Sequence, residues 1–84
     1  MKSIRLSGHG QEAILSRGAT EQEVVDAVRQ SPWEPAELGR TQCHQDFVFG
    51  RNWNGRTYAT KQVRPIFVEE ADEIVVVTVY VYYF

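Results

Sequence analysis

The sequence predicts an α+β fold, in which a short N-terminal strand and two helices pack on an antiparallel sheet of three or four strands. Three observations lead to this class. A capping box precedes an apolar stripe with helical spacing, apolar and polar residues alternate over residues 43–49, and an apolar run, IVVVTVYVYYF, follows at residues 74–84. Helices that come before an unbroken series of strands are typical of a layer packed on one face of a sheet.

The first strand and the first helix are predicted from local signals. Residues 2–6 alternate enough to form a short strand, and Ser7 is a plausible N-cap for a helix over residues 8–17. Gly18 stands where a helix commonly ends in the left-handed conformation.

The second helix has the clearer signature. Thr20 and Glu23 are spaced as a capping box, in which each side chain accepts a hydrogen bond from the other residue's backbone. The residues that follow form one apolar stripe, Val24, Val25, Ala27 and Val28. Pro32 disfavours helical geometry at Ser31 and therefore ends the helix, after which Trp33 is expected to fold back onto the core.

The pattern becomes strand-like from Leu38 onward. Asn54-Gly55 is a hairpin turn signal, so the strand that alternates over residues 43–49 is expected to return over residues 57–63. Pro65 has no N–H to donate to a strand ladder and predicts an edge or a break, with a further short strand over residues 66–68. The apolar run at residues 74–84 predicts a strand in the middle of the sheet, buried on both faces, with Tyr80, Tyr82 and Phe84 in the core or an interface.

Length and composition narrow the class of protein. A chain of 84 residues supports one core, so residues 1–84 are predicted to be a single domain. The lone Cys43 excludes an internal disulfide and fits a reducing compartment, and neither a signal peptide nor a membrane-length apolar helix is visible. We therefore expect a cytoplasmic protein that has no membrane partner, no cofactor and no metal site.

Basic residues are concentrated in the strand region. Residues 40–64 hold five basic side chains and one acid, a local net charge of +4 within a chain of net charge −2. A basic sheet face opposite acidic helices would bind phosphates. The alternative is that these arginines are solvated charges that protect strand edges from pairing with other chains.

Three short stretches resemble a known family. SGH at residues 7–9, SRGAT at residues 16–20 followed by Glu23-Val24, and IVVVTVY at residues 74–80 are similar to the opening and closing motifs of domain of unknown function 4258. That family opens on Ser-x-His-Ala, continues with Glu-Arg-Gly-Ile and a Glu-Val helix, and closes on Thr-Val-Tyr. In this chain Gly10 replaces the alanine that usually follows the histidine, and Ser16 replaces the acid before the arginine.

The resemblance implies a RelE-like fold, a compact sheet with two helices packed on it. The wider superfamily contains many RNA-cleaving toxins, including the toxin halves of toxin–antitoxin pairs. The resemblance therefore implies a small ribonuclease or a relic of one, with RNA, a ribosome or an antitoxin-like protein as partners.

Metal-independent RNA cleavage needs a group that accepts a proton from the 2′-hydroxyl, a group that protonates the leaving oxygen, and positive charge near the phosphate. Histidine is the residue type most often used for general acid–base catalysis, which makes His9 a candidate, and arginine binds a phosphate with two parallel hydrogen bonds. Candidate catalytic residues are therefore His9, Lys61, Arg64, Thr78 and Tyr80.

Candidate RNA-binding residues are Arg40, Arg51, Arg56 and Trp53, since an exposed tryptophan stacks on bases. Each candidate also has a structural explanation. His9 could serve as a helix-start residue, Thr78 as a good strand former and Trp53 as a protein contact.

Two hypotheses follow from the sequence. The first is a metal-independent endoribonuclease of the toxin type. The second is a non-catalytic module of the same fold that pairs with itself or with an antitoxin-like protein through its terminal strand and aromatic side chains. The placement of His9, Lys61, Arg64 and Thr78 relative to one another discriminates between them.

Overall fold

A computed structural model describes residues 2–84 and confirms the α+β class, with two helices and a mixed six-stranded sheet. The elements in chain order are β1 (Ser3–Leu6), α1 (Gly8–Arg17), α2 (Glu21–Gln30), β2 (Glu34–Pro35), β3 (Thr41–Gln42), β4 (Gln45–Trp53), β5 (Arg56–Glu69) and β6 (Glu73–Tyr83). A tight turn over Glu37–Gly39 joins β2 to β3.

Both helices begin and end where their capping residues predict. The Ser7 hydroxyl accepts from the backbone N–H of Gly10, and Gly18 closes α1 at φ 80°. In α2 the Thr20 hydroxyl accepts from the Glu23 N–H, and the Glu23 carboxylate accepts from the Thr20 N–H at 2.9 Å. The capping box and its reciprocal hydrogen bonds are confirmed.

The sheet is mixed, which corrects the prediction of an antiparallel sheet. Its strands follow the order β1-β6-β5-β3-β2, and β4 pairs with β5 on the same side as β3. β1 runs parallel to β6, from Ser3 opposite Glu73 to Leu6 opposite Val76. Strands so far apart in sequence carry no turn signal that would reveal their relative direction.

β6 is central along only its first half, which corrects a second prediction. β1 pairs with residues 73–76, and beyond Val76 no described strand covers that side of β6. Tyr80, Tyr82 and Phe84 are 43%, 49% and 59% exposed, so they lie outside the core. The helices cover one face of the strand, and a period of two places these three side chains on the other.

β5 is one continuous strand through Pro65, where the sequence predicted an edge or a break. Pro65 lies beside the junction at residues 43–44, where β3 has ended and β4 has not begun, so its missing N–H leaves no strand partner unpaired. The Pro65 carbonyl remains in use and accepts from the backbone N–H of Cys43 at 3.3 Å.

The two faces of the sheet differ in cover. The helix face carries the core, in which Val24, Ala27 and Val28 of α2 pack with buried strand residues such as Val63 and Val79. The other face of the sheet, called the open face, carries the residues that alternate with these core positions along each strand. They are Gln62, Arg64 and Ile66 of β5 and their register partners Tyr82, Tyr80 and Thr78 of β6.

Two smaller features agree with the sequence. The indole N–H of Trp33 donates to the Val28 carbonyl at 2.8 Å, and its ring meets the edge of Phe67, so Trp33 does fold back onto the core. Asn54 and Gly55 both have positive φ, 50° and 86°, the geometry of a type I′ hairpin turn.

Neither helix is long and apolar enough to cross a membrane, as judged over residues 2–84.

Candidate functional site

The open face carries a cleft of about 570 Å³, called here the open-face cleft. Its floor is formed by side chains of β3, β5 and β6, and its wall by the turn between β2 and β3. The lining residues are Pro35, Ala36, Glu37, Leu38, Arg40, Gln42, Ile66, Thr78 and Tyr80. A volume of this size is typical of small-ligand sites.

The cleft brings together three of the residues that the sequence singled out. Thr78 and Tyr80 are two apart on β6 and share the open face, as their spacing indicates. Arg40 reaches the same cleft from the turn before β3. Two hydroxyl groups and one guanidinium therefore line one cavity from parts of the chain that are far apart in sequence.

Lys61 lies on the other side of the sheet. Its side chain is 5% exposed and contacts the helix layer, where the ammonium group pairs with the Glu23 carboxylate at 2.9 Å and donates to the Gly18 carbonyl at 3.0 Å. It also lies 5.3 Å from the centre of the Phe49 ring. Lys61 is held in an internal ion pair, and the structure does not bring it together with Thr78 or Tyr80.

His9 is exposed in the first turn of α1 and does not line the open-face cleft. Its neighbour Gly10 is buried against β6, where an added Cβ would lie 2.7 Å from the Val76 carbonyl oxygen. This close approach explains why residue 10 is a glycine, since any larger residue would collide with the backbone of β6. The histidine is thus on the surface, away from the cavity that holds the two hydroxyl groups.

Arg64 lies beside the cleft without lining it. It is the register partner of Tyr80 on the open face. Its guanidinium contacts the Glu34 carboxylate at 3.5 Å and the Gln62 amide oxygen at 3.4 Å. A carboxylate partner partly neutralises Arg64, which weakens it as a ligand for an anion.

The remaining predicted RNA contacts lie at the far end of the β4–β5 hairpin. Arg51 and Arg56 are exposed there, whereas the Trp53 ring stacks on Tyr83 with centroids 5.0 Å apart. Arg56 is separated from Ile66 by ten residues of extended strand, or about 33 Å at the usual rise. The basic stretch of the sequence is therefore divided between two ends of the molecule and the interior, and it does not form one basic face.

The distribution of ion pairs distinguishes the cations around the cleft. Four of the nine lysines and arginines pair with a carboxylate, namely Lys2, Arg5, Lys61 and Arg64. Arg40 in the cleft and Arg17 beside it have no salt-bridge partner among the described residues. The Arg17 guanidinium instead lies over the Tyr80 ring, 5.1 Å from its centre. Two uncompensated positive charges thus flank Tyr80.

Sequence reasoning missed several residues of the cleft. Leu38 is 85% exposed and adopts a left-handed backbone conformation at φ 59°, which costs a leucine about 1–2 kcal/mol. No sequence signal marks this turn, because leucine is unusual in it. Gln42 and Ile66 could have been found from their strand register, and Glu37 supplies the one carboxylate among the lining side chains.

Cys43 has no place in this site. It is fully buried on the helix face, and its thiol donates to the Ala27 carbonyl at 3.3 Å. Burial raises the pKa of the Cys43 thiol to about 11, so it stays protonated at neutral pH and is a poor nucleophile.

Comparison with known proteins adds no identification, since no family model, no curated protein and no solved structure matches the chain.

Proposed function

We propose that the protein is a RelE-like endoribonuclease that binds single-stranded RNA in the open-face cleft. The arrangement of two helices on one face of a sheet, with the other face open, supports this fold assignment. The observation that carries the functional proposal is the meeting of Arg40, Thr78 and Tyr80 in one cavity large enough for a nucleotide.

The lining residues suit recognition of a phosphodiester. Arg40 has no carboxylate partner among the described residues, so its guanidinium is free to bind a phosphate with two hydrogen bonds. The hydroxyl groups of Thr78 and Tyr80 can donate to the phosphate oxygens, and the exposed Tyr80 ring presents an aromatic surface to a base. The site therefore combines charge, hydrogen-bond donors and a stacking surface.

The proposed reaction is an internal transesterification. The 2′-oxygen attacks the adjacent phosphorus, the bond to the 5′-oxygen breaks, and the products are a 2′,3′-cyclic phosphate and a 5′-hydroxyl. Arg40 stabilises the charge that develops on the phosphorane. The Glu37 carboxylate accepts the proton of the 2′-hydroxyl, and the Tyr80 hydroxyl donates to the leaving oxygen. His9 and Lys61 take no part, because neither lines the cleft.

The test is degradation of a fluorescent single-stranded RNA in EDTA, with binding measured separately by anisotropy. Arg40→Ala and Tyr80→Phe are expected to lower cleavage by roughly a hundredfold, the usual scale for loss of one transition-state contact. Arg29→Ala is the matched control, because Arg29 is another arginine without a carboxylate partner among residues 2–84, on the helix layer. If Arg29→Ala and Arg40→Ala lose the same amount of cleavage activity, the effect comes from the net charge of the protein and not from a contact in the cleft.

Free RNA and RNA on translating ribosomes are both assayed, since the resemblance implies either RNA or a ribosome as the partner. If His9→Ala keeps its fold but loses cleavage activity, His9 takes part in catalysis and the mechanism proposed above is wrong on this point. No cleavage and no binding by the wild-type protein in either assay would refute the proposal.

The second candidate function is a non-catalytic module that binds a protein. One observation favours it, namely that Tyr82 and Phe84 are exposed beside the half of β6 that no described strand covers. Such an edge accepts another strand, from a second copy or from an antitoxin-like partner. Light scattering after size exclusion tests self-association, and a mass equal to one chain at all concentrations would exclude the homodimer.

A further inference from the structure

Arg17 occupies an unusual position at the end of α1. Its backbone carbonyl accepts from the Tyr83 hydroxyl at 2.7 Å. Its guanidinium donates to the Val79 carbonyl at 2.7 Å and lies 5.1 Å from the centre of the Tyr80 ring. Arg17 thereby reaches from the helix layer past the uncovered side of β6 to a side chain of the opposite face.

The contact with Val79 is possible because of the strand register. Val79 pairs with Pro65, whose carbonyl faces the other side of β5 and accepts from Cys43, so Pro65–Val79 is a non-hydrogen-bonded pair and the Val79 carbonyl points away from β5. An N–H of the Arg17 guanidinium donates to this carbonyl, which would otherwise have no strand partner. The planar guanidinium is held there in a fixed orientation, with Tyr80 as the next residue along the strand.

The effect on Tyr80 follows from the stacking geometry. A cation over an aromatic ring is attracted to the negative face of its π system. Tyr80 is 43% exposed on the open face, so packing holds its ring only in part. Arg17 covers one side of the ring, and the ring in turn lines the open-face cleft.

We propose that Arg17 is a positioning residue that holds the Tyr80 ring against the open-face cleft and supplies a second positive charge for a phosphate bound there. This inference rests on the proposed RNA-binding function. The chemical class of ligand is a phosphodiester whose phosphate lies between Arg40 and Tyr80. Arg17 acts through Tyr80 and through its charge, without direct contact with the reacting atoms.

Two conservative variants separate this role from a merely structural one. Arg17→Gln keeps an N–H that can donate to the Val79 carbonyl but removes the charge. Arg17→Lys keeps the charge and a donor but lacks the planar group that stacks on a ring. The fold of each variant is checked by circular dichroism and by its denaturation midpoint.

The first readout is the NMR spectrum of the protein with ¹³C-labelled tyrosine rings, in which Tyr80→Phe identifies the Tyr80 signals. In Arg17→Gln these signals are expected to move towards the values of a freely rotating tyrosine. The signals of Tyr82, also on the open face and half exposed, are the internal control and should stay in place. This readout needs no RNA, so it decides the positioning role even if the proposed function fails.

The second readout is affinity for an oligouridine. Arg17→Gln is expected to weaken binding by about tenfold, and Arg17→Lys by about threefold because charge is retained. Tyr80→Phe combined with Arg17→Gln should lose less than the product of the two single effects, since Arg17 acts in part by placing the hydroxyl group that Tyr80→Phe removes. Unchanged Tyr80 signals and unchanged affinity in a folded Arg17→Gln protein would overturn the inference.

Discussion

Replacement of Lys61 by methionine tests whether this lysine stabilises the fold or acts in catalysis. The ammonium group pairs with Glu23 at 2.9 Å and donates to the Gly18 carbonyl at 3.0 Å, at a site where the lysine side chain is 5% exposed. Methionine keeps most of the stem and removes the charge. The variant therefore isolates the polar contacts from the packing of the side chain.

The expected loss of stability is about 2–3 kcal/mol. Hydrogen bonds to charged groups contribute about 1.5–3 kcal/mol net, and the cost of breaking a fully buried ion pair is about 3–5 kcal/mol. The lower range applies, because the Glu23 side chain is 19% exposed and keeps its hydrogen bond from the Thr20 N–H. Water can solvate the carboxylate that is left, although the Gly18 carbonyl loses a donor.

The assay is equilibrium unfolding in urea, followed by tryptophan fluorescence. Arg56→Met, an exposed position on the same strand, is the control and should change stability by less than about 0.5 kcal/mol. In a double-mutant cycle, Glu23→Gln should recover about 1 kcal/mol of the loss in Lys61→Met. A Lys61→Met protein of wild-type stability that has lost RNA cleavage would refute the reasoning and make Lys61 a functional residue.

Three further predictions concern the helix layer. Gly18→Ala should lower the free energy of unfolding by more than about 2 kcal/mol, because an alanine is strained in the left-handed conformation and its Cβ would lie 2.6 Å from the Tyr83 hydroxyl. Gly39→Ala is the control, since Gly39 has a similar φ of 71° but open space around it, and should cost about 1 kcal/mol. Urea unfolding compares the two variants. The Cys43 pKa of about 11 lies above the value of 9.0 in an unfolded chain, so the stability that the protonated thiol contributes is complete below pH 9 and is lost as the pH rises to 11. The free energy of unfolding should therefore fall by about 2–3 kcal/mol across that range. Cys43→Ala should lack this part of the pH dependence. Tyr83→Phe should cost about 1 kcal/mol at neutral pH through the lost hydrogen bond to the Arg17 carbonyl, and calorimetry that shows no change would contradict that contact's contribution.

The elements with local signals were predictable almost to the residue. Ser7, Gly18 and the Thr20–Glu23 box act within one helical turn, and Asn54-Gly55 acts within its own hairpin, so short stretches of sequence contain the whole cause. The direction of β1 was not predictable. It depends on pairing with the first residues of β6, about 70 residues away, and no periodicity records that pairing.

The candidate site divides in the same way. Thr78 and Tyr80 are two positions apart on the strand, which predicts a shared face, and the structure shows one. Lys61 and Arg64 are three positions apart, which predicts opposite faces of the sheet, and this odd spacing was the available signal that they could not act together. Arg40 could not be placed from sequence, because its position follows from the left-handed Leu38 in the preceding turn.

The pairing of β1 with β6 has a consequence for the time course of folding. During synthesis, β1 and both helices are made long before β6, and residues 3–6 cannot pair until residues 73–76 have been made. Contacts of such long sequence separation require a large loop to close first, which slows folding of the whole unit. Until β6 is made, the apolar side of α1 remains open to chaperones and to aggregation, because α1 packs on β6. A substitution that weakens β6 is therefore expected to lower the yield of folded protein more than its effect on the equilibrium stability would suggest.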